Sequence, residues 1–274
     1  MNRITYSYSR ELSALTLAML SSTAWAQSDQ RLVVPLSDAS RPATLEISLF
    51  QGDIDVRAYD GNEVVVMTDT EVRNEDEEEE PREDGLRRIQ TSSIGLTVEE
   101  QNNTVSVRMD FSPRGAEVVV QVPRRTSVRA NLVNGGDVEI TGVNGEHELT
   151  NVNGDVIAND ISGSAVLSST NGEVTATFVE VDTARPMSFI SFNGDVDVSL
   201  PARLAADLVV ASQQGDVYTD FDVVAEDEPP VVERGPGARG PRWRVQRHTR
   251  YAIGGGGPEI QLRTFNGDVM IRKR

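Results

Sequence analysis

No cysteine occurs anywhere in this chain, so disulfides contribute nothing to its stability and no N-terminal cysteine can carry lipid. Only two histidines are present, His147 and His248; without cysteine beside them a conventional zinc site is disfavoured. Positive charge is scarce, with 26 lysines and arginines against 43 acidic residues and a net charge of −17. Nucleic acid is therefore not an expected partner, because phosphate binding rests on clustered cations. Aromatic residues make up 5 % of the chain, few for the sugar-stacking clefts of glycan-cleaving enzymes. No serine sits in a Gly-x-Ser-x-Gly elbow, and Gly254 to Gly257 lack the Lys-Ser/Thr that completes a phosphate loop.

What the chain does have is a period. Glycines fall at Gly136, Gly145, Gly154, Gly163 and Gly172, a step of nine residues with no insertion. The third and fifth positions of these blocks are mostly apolar, and alternation at a step of two marks a strand with one buried face. The third position reads Val138, His147, Val156, Ala165, Val174, so alternate blocks match each other best. The repeating unit is then eighteen residues and two strands, with equivalent residues stacked about 4.8 Å apart. The eighth position, Val143, Val152, Ile161, Thr170 and Val179, is expected to open the next inward-facing stretch. Asparagine precedes Gly145, Gly154, Gly172 and Gly194. Asn-Gly readily supplies a positive φ and makes corners; it could equally close antiparallel hairpins of a meander or sandwich.

Looser copies follow at Gly194-Asp-Val, Gly215-Asp-Val and Gly267-Asp-Val, and an earlier one at Gly52-Asp-Ile. The fold class this predicts is an all-β, single-stranded β-solenoid, β-helix-like, with stacked coils of about 18 to 22 residues and irregular N-terminal capping strands. Taken with Asp60-Gly-Asn-Glu-Val-Val-Val and the ending from Gly254 through Pro258-Glu-Ile-Gln-Leu to Asn266-Gly-Asp-Val-Met-Ile-Arg, these motifs resemble the bacterial putative-adhesin family of β-strand-repeat envelope proteins. The resemblance covers roughly residues 45 to 274. It implies a β-solenoid without an established activity and carries over no catalytic residues.

Residues 1–26 read as an export signal: Arg3 and Arg10, an apolar stretch from Leu12 to Leu20, then Ala24-Trp-Ala26 as a small-x-small cleavage site. Cleavage after Ala26 is expected, with an uncleaved anchor as the alternative. It would leave a net charge of −18 and a periplasmic or secreted protein. Residues 27–274 are expected to form one β-repeat domain. Within it lie N-terminal strands (31–120) holding an acidic loop at 74–85, regular coils (121–221), a Pro/Gly-rich linker (222–240) and closing strands (241–274) that complete the stack.

The chemistry is thin. An acid follows most corner glycines, as Asp137, Glu146, Asp155, Glu173, Asp195, Asp216 and Asp268, and stacked carboxylates would repel by up to about 1 kcal/mol per opposed pair. Calcium would relieve this, but the Gly-Gly-x-Gly-x-Asp turns of calcium-binding nonapeptide rolls are missing. Glycoside hydrolysis needs a distinct carboxyl pair about 5 to 9.5 Å apart, and no corner acid stands out. His147 is expected to be a hydrogen-bonded core or corner residue. Arg242, Arg244, Arg247 and Arg250 gather on a strand whose alternate positions are Trp243 and Val245, a possible surface for an anionic glycan or lipid head group. No catalytic residue, metal site or cofactor is expected. The expected function is a non-enzymatic envelope scaffold or adhesin-like surface for another, unidentified envelope component. Anionic glycan or lipid binding is the second reading and polysaccharide cleavage the third.

Overall fold

The computed structural model describes residues 30–69, 95–109, 115–226, 231–237, 240–246 and 249–274. The segments expected to be an export signal (1–26) and an acidic loop (74–85) lie outside the described residues. Among those described, every regular element is a strand. The first group is β1 (Gln30–Pro35), β2 (Ala43–Tyr59), β3 (Glu63–Asp69), β4 (Leu96–Gln101), β5 (Thr104–Met109) and β6 (Glu117–Pro123). The periodic region forms β7 (Thr126–Thr141), β8 (Asn144–Asn153), β9 (Val156–Asn171), β10 (Val174–Val181), β11 (Met187–Asn193), β12 (Val196–Leu200), β13 (Ala206–Gln214) and β14 (Val217–Thr219). The C-terminal part forms β15 (Val224–Glu226), β16 (Val231–Gly237), β17 (Gly240–Gln246), β18 (Thr249–Ile253), β19 (Glu259–Asn266) and β20 (Val269–Lys273).

Eighteen of these strands join one sheet, and β16 and β17 form a separate two-stranded one. Two parallel ladders run through the large sheet. The first passes through Val118, Ile54, Val138, Val156, Val174, Val196, Val269 and Val217. The second passes through Val107, Ile47, Ala130, Leu149, Leu167, Phe189, Leu262 and Val210. Strands β2, β7 and β9 are 16 or 17 residues long and contribute to both ladders. All of these ladder residues except Val217, the last of the first ladder, belong to one buried apolar cluster. Val138, Val156 and Val174 are successive parallel partners, as the eighteen-residue unit requires.

The nine-residue step resolves into two interleaved series. Gly136, Gly154 and Gly172 stack at one corner, while Gly145 and Gly163 pair across β8 and β9 at the other. The eighth position divides accordingly. Val143 and Ile161 are buried, Val152 and Thr170 are not, and Val179 is 56 % exposed. A register shift in β10 places Phe178, not Val179, opposite Ile161, so the phenyl ring fills the interior site.

Stacking order departs from chain order at two places. The turn made by β2 lies between β5–β6 and β7, and the turn made by β19 and β20 lies between β11–β12 and β13–β14. Of the closing strands expected over 241–274, β19 and β20 are thus internal to the stack, which buries both faces of that turn instead of one. The stretch expected as a linker, 222–240, carries β15 and β16, and β17 pairs with β16 as a hairpin with Gly237 opposite Gly240. Antiparallel strands cover three of the four ladder ends. β4 lies on β5, β3 and β1 lie beyond β6, and β18 with β15 lies on β13.

Candidate functional site

The recurring polar residues converge on one corner, built from the segments Asn151 to Val156, Ser169 to Val174, Ser191 to Val196, Thr264 to Val269 and Ser212 to Val217. Each segment reads Asn/Ser/Thr, any residue, Asn/Gln, Gly, Asp/Glu, Val. The corner glycine is needed because successive turns approach closely. A Cβ at Gly154 would lie 2.1 Å from the Gly136 carbonyl oxygen, and one at Gly172 would lie 2.1 Å from that of Gly154. The positive φ expected of the Asn-Gly corners falls on the glycine, at Gly154 (145°), Gly194 (154°) and Gly267 (149°), and not on the preceding asparagines. Their role is side-chain stacking: Asn153 Nδ2 donates to Asn134 Oδ1 (2.7 Å), Asn171 to Asn153 (2.8 Å), Asn193 to Asn171 (2.8 Å) and Asn266 to Asn193 (2.6 Å).

The acids beside the glycines form a second column. Along most of this column the acid's N–H donates to the carboxylate of the adjacent turn: Asp137 to Asp53 (3.0 Å), Asp155 to Asp137 (2.8 Å) and Glu173 to Asp155 (2.7 Å). Farther along, Asp268 donates to Asp195 and Asp216 to Asp268, both at 2.8 Å. A charge-assisted hydrogen bond of this kind contributes about 1.5–3 kcal/mol, enough to offset the repulsion between stacked carboxylates. Repulsion still registers at Glu173, whose pKa is raised first by burial and then by Asp155, Asp195 and Asp197. Among the described residues no group of three or more acids or histidines is arranged to hold a metal.

A third column escaped the sequence reading. Asn151, Ser169, Ser191, Thr264 and Ser212 each donate to the carbonyl of the corner glycine in the adjacent turn, at 2.8–2.9 Å. Its signal was a small polar residue three places before the glycine, in a column that is otherwise leucine at Leu49 and Leu132.

His147 stacks between Val128 and Ala165 and is 2 % exposed. Its Nε2 lies 3.3 Å from the Ser162 carbonyl oxygen, while Nδ1 has no partner; only half of the expected hydrogen bonding is present. Burial lowers its pKa to about 4. The arginine set is not brought together on one strand. Arg242 and Arg244 lie on β17, Arg247 lies outside the described residues, and Arg250 lies on β18 with its guanidinium donating to Glu259 at 3.2 Å.

Two further surface features frame the corner. Phe192 and Phe265, just before the stacked asparagines, lie face to face on the outer side, with centroids 4.8 Å apart and planes at 11°. Each covers one face of the other's ring. At the opposite corner an open groove of about 650 Å³ is lined by Arg125, Asn144, Glu146, Ser162, Glu180 and Arg185 among others. Arg185 pairs with Glu146 (2.6 Å) and Asp182 (3.5 Å) there, tying two of its carboxylates to a cation.

No family model matches the chain, and no curated protein matches it. Two crystal structures are similar to it. One, of a putative cell adhesion protein from Clostridium sporogenes, is 10 % identical with a TM-score of 0.40, covering 90 % of this chain and 100 % of that one. The other, of a putative adhesin from Bacteroides fragilis, is 12 % identical with a TM-score of 0.38, covering 91 % and 98 %. A likeness of that size leaves function to be read from this chain's own geometry.

Proposed function

We propose that the two ladders are the sides of a single wound coil, a β-solenoid, and that the protein is an exported, non-enzymatic scaffold of the cell envelope. On this reading it offers flat strand faces to another envelope component in an adhesin-like role, in the periplasm or outside the cell. The supporting observation is the use made of the corner acids: their carboxylates accept backbone N–H groups of neighbouring turns. Residues spent in that way serve cohesion of the stack, and a general acid or nucleophile would need to be held apart from it.

The test has two arms. Purified protein incubated with a panel of bacterial and plant polysaccharides is expected to release no sugar; sustained release from any of them would overturn the non-enzymatic reading. Applied to intact envelope material, the folded protein is expected to bind saturably and the heat-unfolded protein is not. Equal retention of both forms would remove the scaffold reading.

A further inference from the structure

The stack ends asymmetrically. On the second ladder the last residue, Val210, is 4 % exposed beneath β18. On the first ladder the last strand is β14, which among the described residues pairs with β20 alone. Val217 occupies the same inward column as the fully buried Val269, yet it is 44 % exposed, and Tyr218 beside it is 53 % exposed.

The hydrogen-bonding pattern shows what this end lacks. At earlier corners the valine N–H donates to the carbonyl of the acid in the next turn, as Val156 does to Glu173, Val174 to Asp195 and Val196 to Asp268. The glycine N–H likewise donates to the next turn's asparagine or glutamine carbonyl, as Gly194 does to Asn266 and Gly267 to Gln214. The acid's carboxylate accepts an N–H from the next turn. At the final corner no turn follows among the described residues, so Gly215 N–H and Val217 N–H face outward with no strand beside them, and the Asp216 carboxylate accepts the Tyr218 hydroxyl at 3.4 Å but no backbone N–H of a further turn. An exposed strand edge of this kind is a template for another strand.

A strand to fill it is carried by the same chain. The hairpin of β16 and β17 stands between β15 and β18, at this end of the stack, as a sheet of its own. The antiparallel pairing at its base, Glu226 opposite Arg250, resumes at Val231 opposite Gln246, so the hairpin is an arm prolonging β15 and β18. A two-stranded hairpin alone is marginally stable in water. It also differs in charge from the rest of this acidic chain: its described strands carry Arg234, Arg242 and Arg244 against Glu233, whereas the open corner carries Asp216, Asp268 and Asp220. In its own chain the arm leaves β14 exposed.

We infer that the open edge of β14 is an acceptor for the 231–246 arm of a second copy of this chain, each arm adding to the other's edge in a two-fold symmetric dimer. The exchange satisfies two liabilities at once, and its isologous form closes the assembly at two copies. It stands independently of what the scaffold binds.

The experiment is sedimentation of the full chain, purified as the cell processes it, across the micromolar range. A dimer that dissociates with added salt is expected. The charge reversal Arg242→Glu with Arg244→Glu leaves the stack untouched and is expected to weaken dimerisation by about tenfold or more. Asp216→Lys should weaken it comparably, and the three substitutions together should restore it. Val217→Pro, which removes the outward N–H, should abolish it, with circular dichroism confirming a folded chain. A wild-type monomer throughout the range would overturn the inference. So would a dimer indifferent to the arm reversal, which would indicate pairing of β14 with β14, or a dimer indifferent to Val217→Pro, which would place the contact elsewhere.

Discussion

Replacing Gly172 by alanine isolates the force that fixes the corner. Gly172 is not in the left-handed region, so the substitution adds no backbone strain and only the contact is tested. The new Cβ would lie 2.1 Å from the Gly154 carbonyl oxygen and 2.4 Å from its carbon. Ordinary carbon–oxygen contact begins beyond about 3.2 Å, so the two turns must part by about 1 Å. That movement disrupts three side-chain bonds between them: Ser169 to Gly154, Asn171 to Asn153, and Glu173 to Asp155. At about 1 kcal/mol for each of the first two and about 1.5–3 kcal/mol for the charge-assisted third, the loss is about 3.5–5 kcal/mol, above ordinary overpacking costs. For a domain of this size it corresponds to a fall in melting temperature of about 7–20 °C. The comparison is Gly255→Ala, where a Cβ meets nothing within 4 Å but φ is +97°, so conformational strain alone is tested, at about 1 kcal/mol. Thermal unfolding followed by circular dichroism measures both, and hydrogen exchange locates the Gly172 loss in the neighbouring turns. If Gly172→Ala cost no more than Gly255→Ala, close stacking would not be the reason for the glycine.

Other perturbations address the columns separately. Asp155→Ala removes the acceptor for Glu173 N–H and should cost about 1–2 kcal/mol in urea denaturation. Asp155→Asn keeps an acceptor oxygen and should be close to neutral; it should also bring the Glu173 pKa down, read by NMR titration, because Asp155 is one of the charges raising it. Ser191→Ala leaves the Gly172 carbonyl without its side-chain donor and should cost about 1–2 kcal/mol, with cavity-filling Ser191→Val no better. Acid should destabilise the fold through His147. Its folded pKa of about 4 lies below an unfolded value of about 6.5, so the unfolded chain takes up the proton first. The stability contributed by the neutral imidazole is complete above about pH 6.5 and falls by about 3 kcal/mol as pH drops to about 4. Glu173 acts in the opposite sense, since its raised pKa makes protonation favour the folded state. His147→Val should therefore flatten the stability profile between those pH values, and an unchanged profile would show that the imidazole does not carry it.

The register of the two parallel ladders was legible because it is written in a period. Valines eighteen residues apart stack because one buried face per strand leaves a single way to align them. The stacking order was not legible, and the corner shows why. The segments ending in Val156, Val174, Val196, Val269 and Val217 present the same donors and acceptors to their neighbours. A turn built from Thr264 to Val269 therefore fits between the turns at Gly194 and Gly215 as well as it would fit at the end. What decides between these arrangements is the connection: β18 returns antiparallel along β13 and delivers Glu259 beside Asp207. The corners at Asn-Gly were legible, but the stacking of the asparagine side chains was not, for a related reason. Asn-Gly is a turn signal when a dipeptide is judged alone, whereas here each amide bonds the same residue in the adjacent turn, a partner visible only once the strands are stacked. The same interchangeability that hid the order leaves, among the described residues, the Gly215 and Val217 N–H groups of the last corner without the strand that pairs with their equivalents in earlier turns. A repeat that ends without a dedicated cap retains, in its last turn, the capacity to accept one more strand.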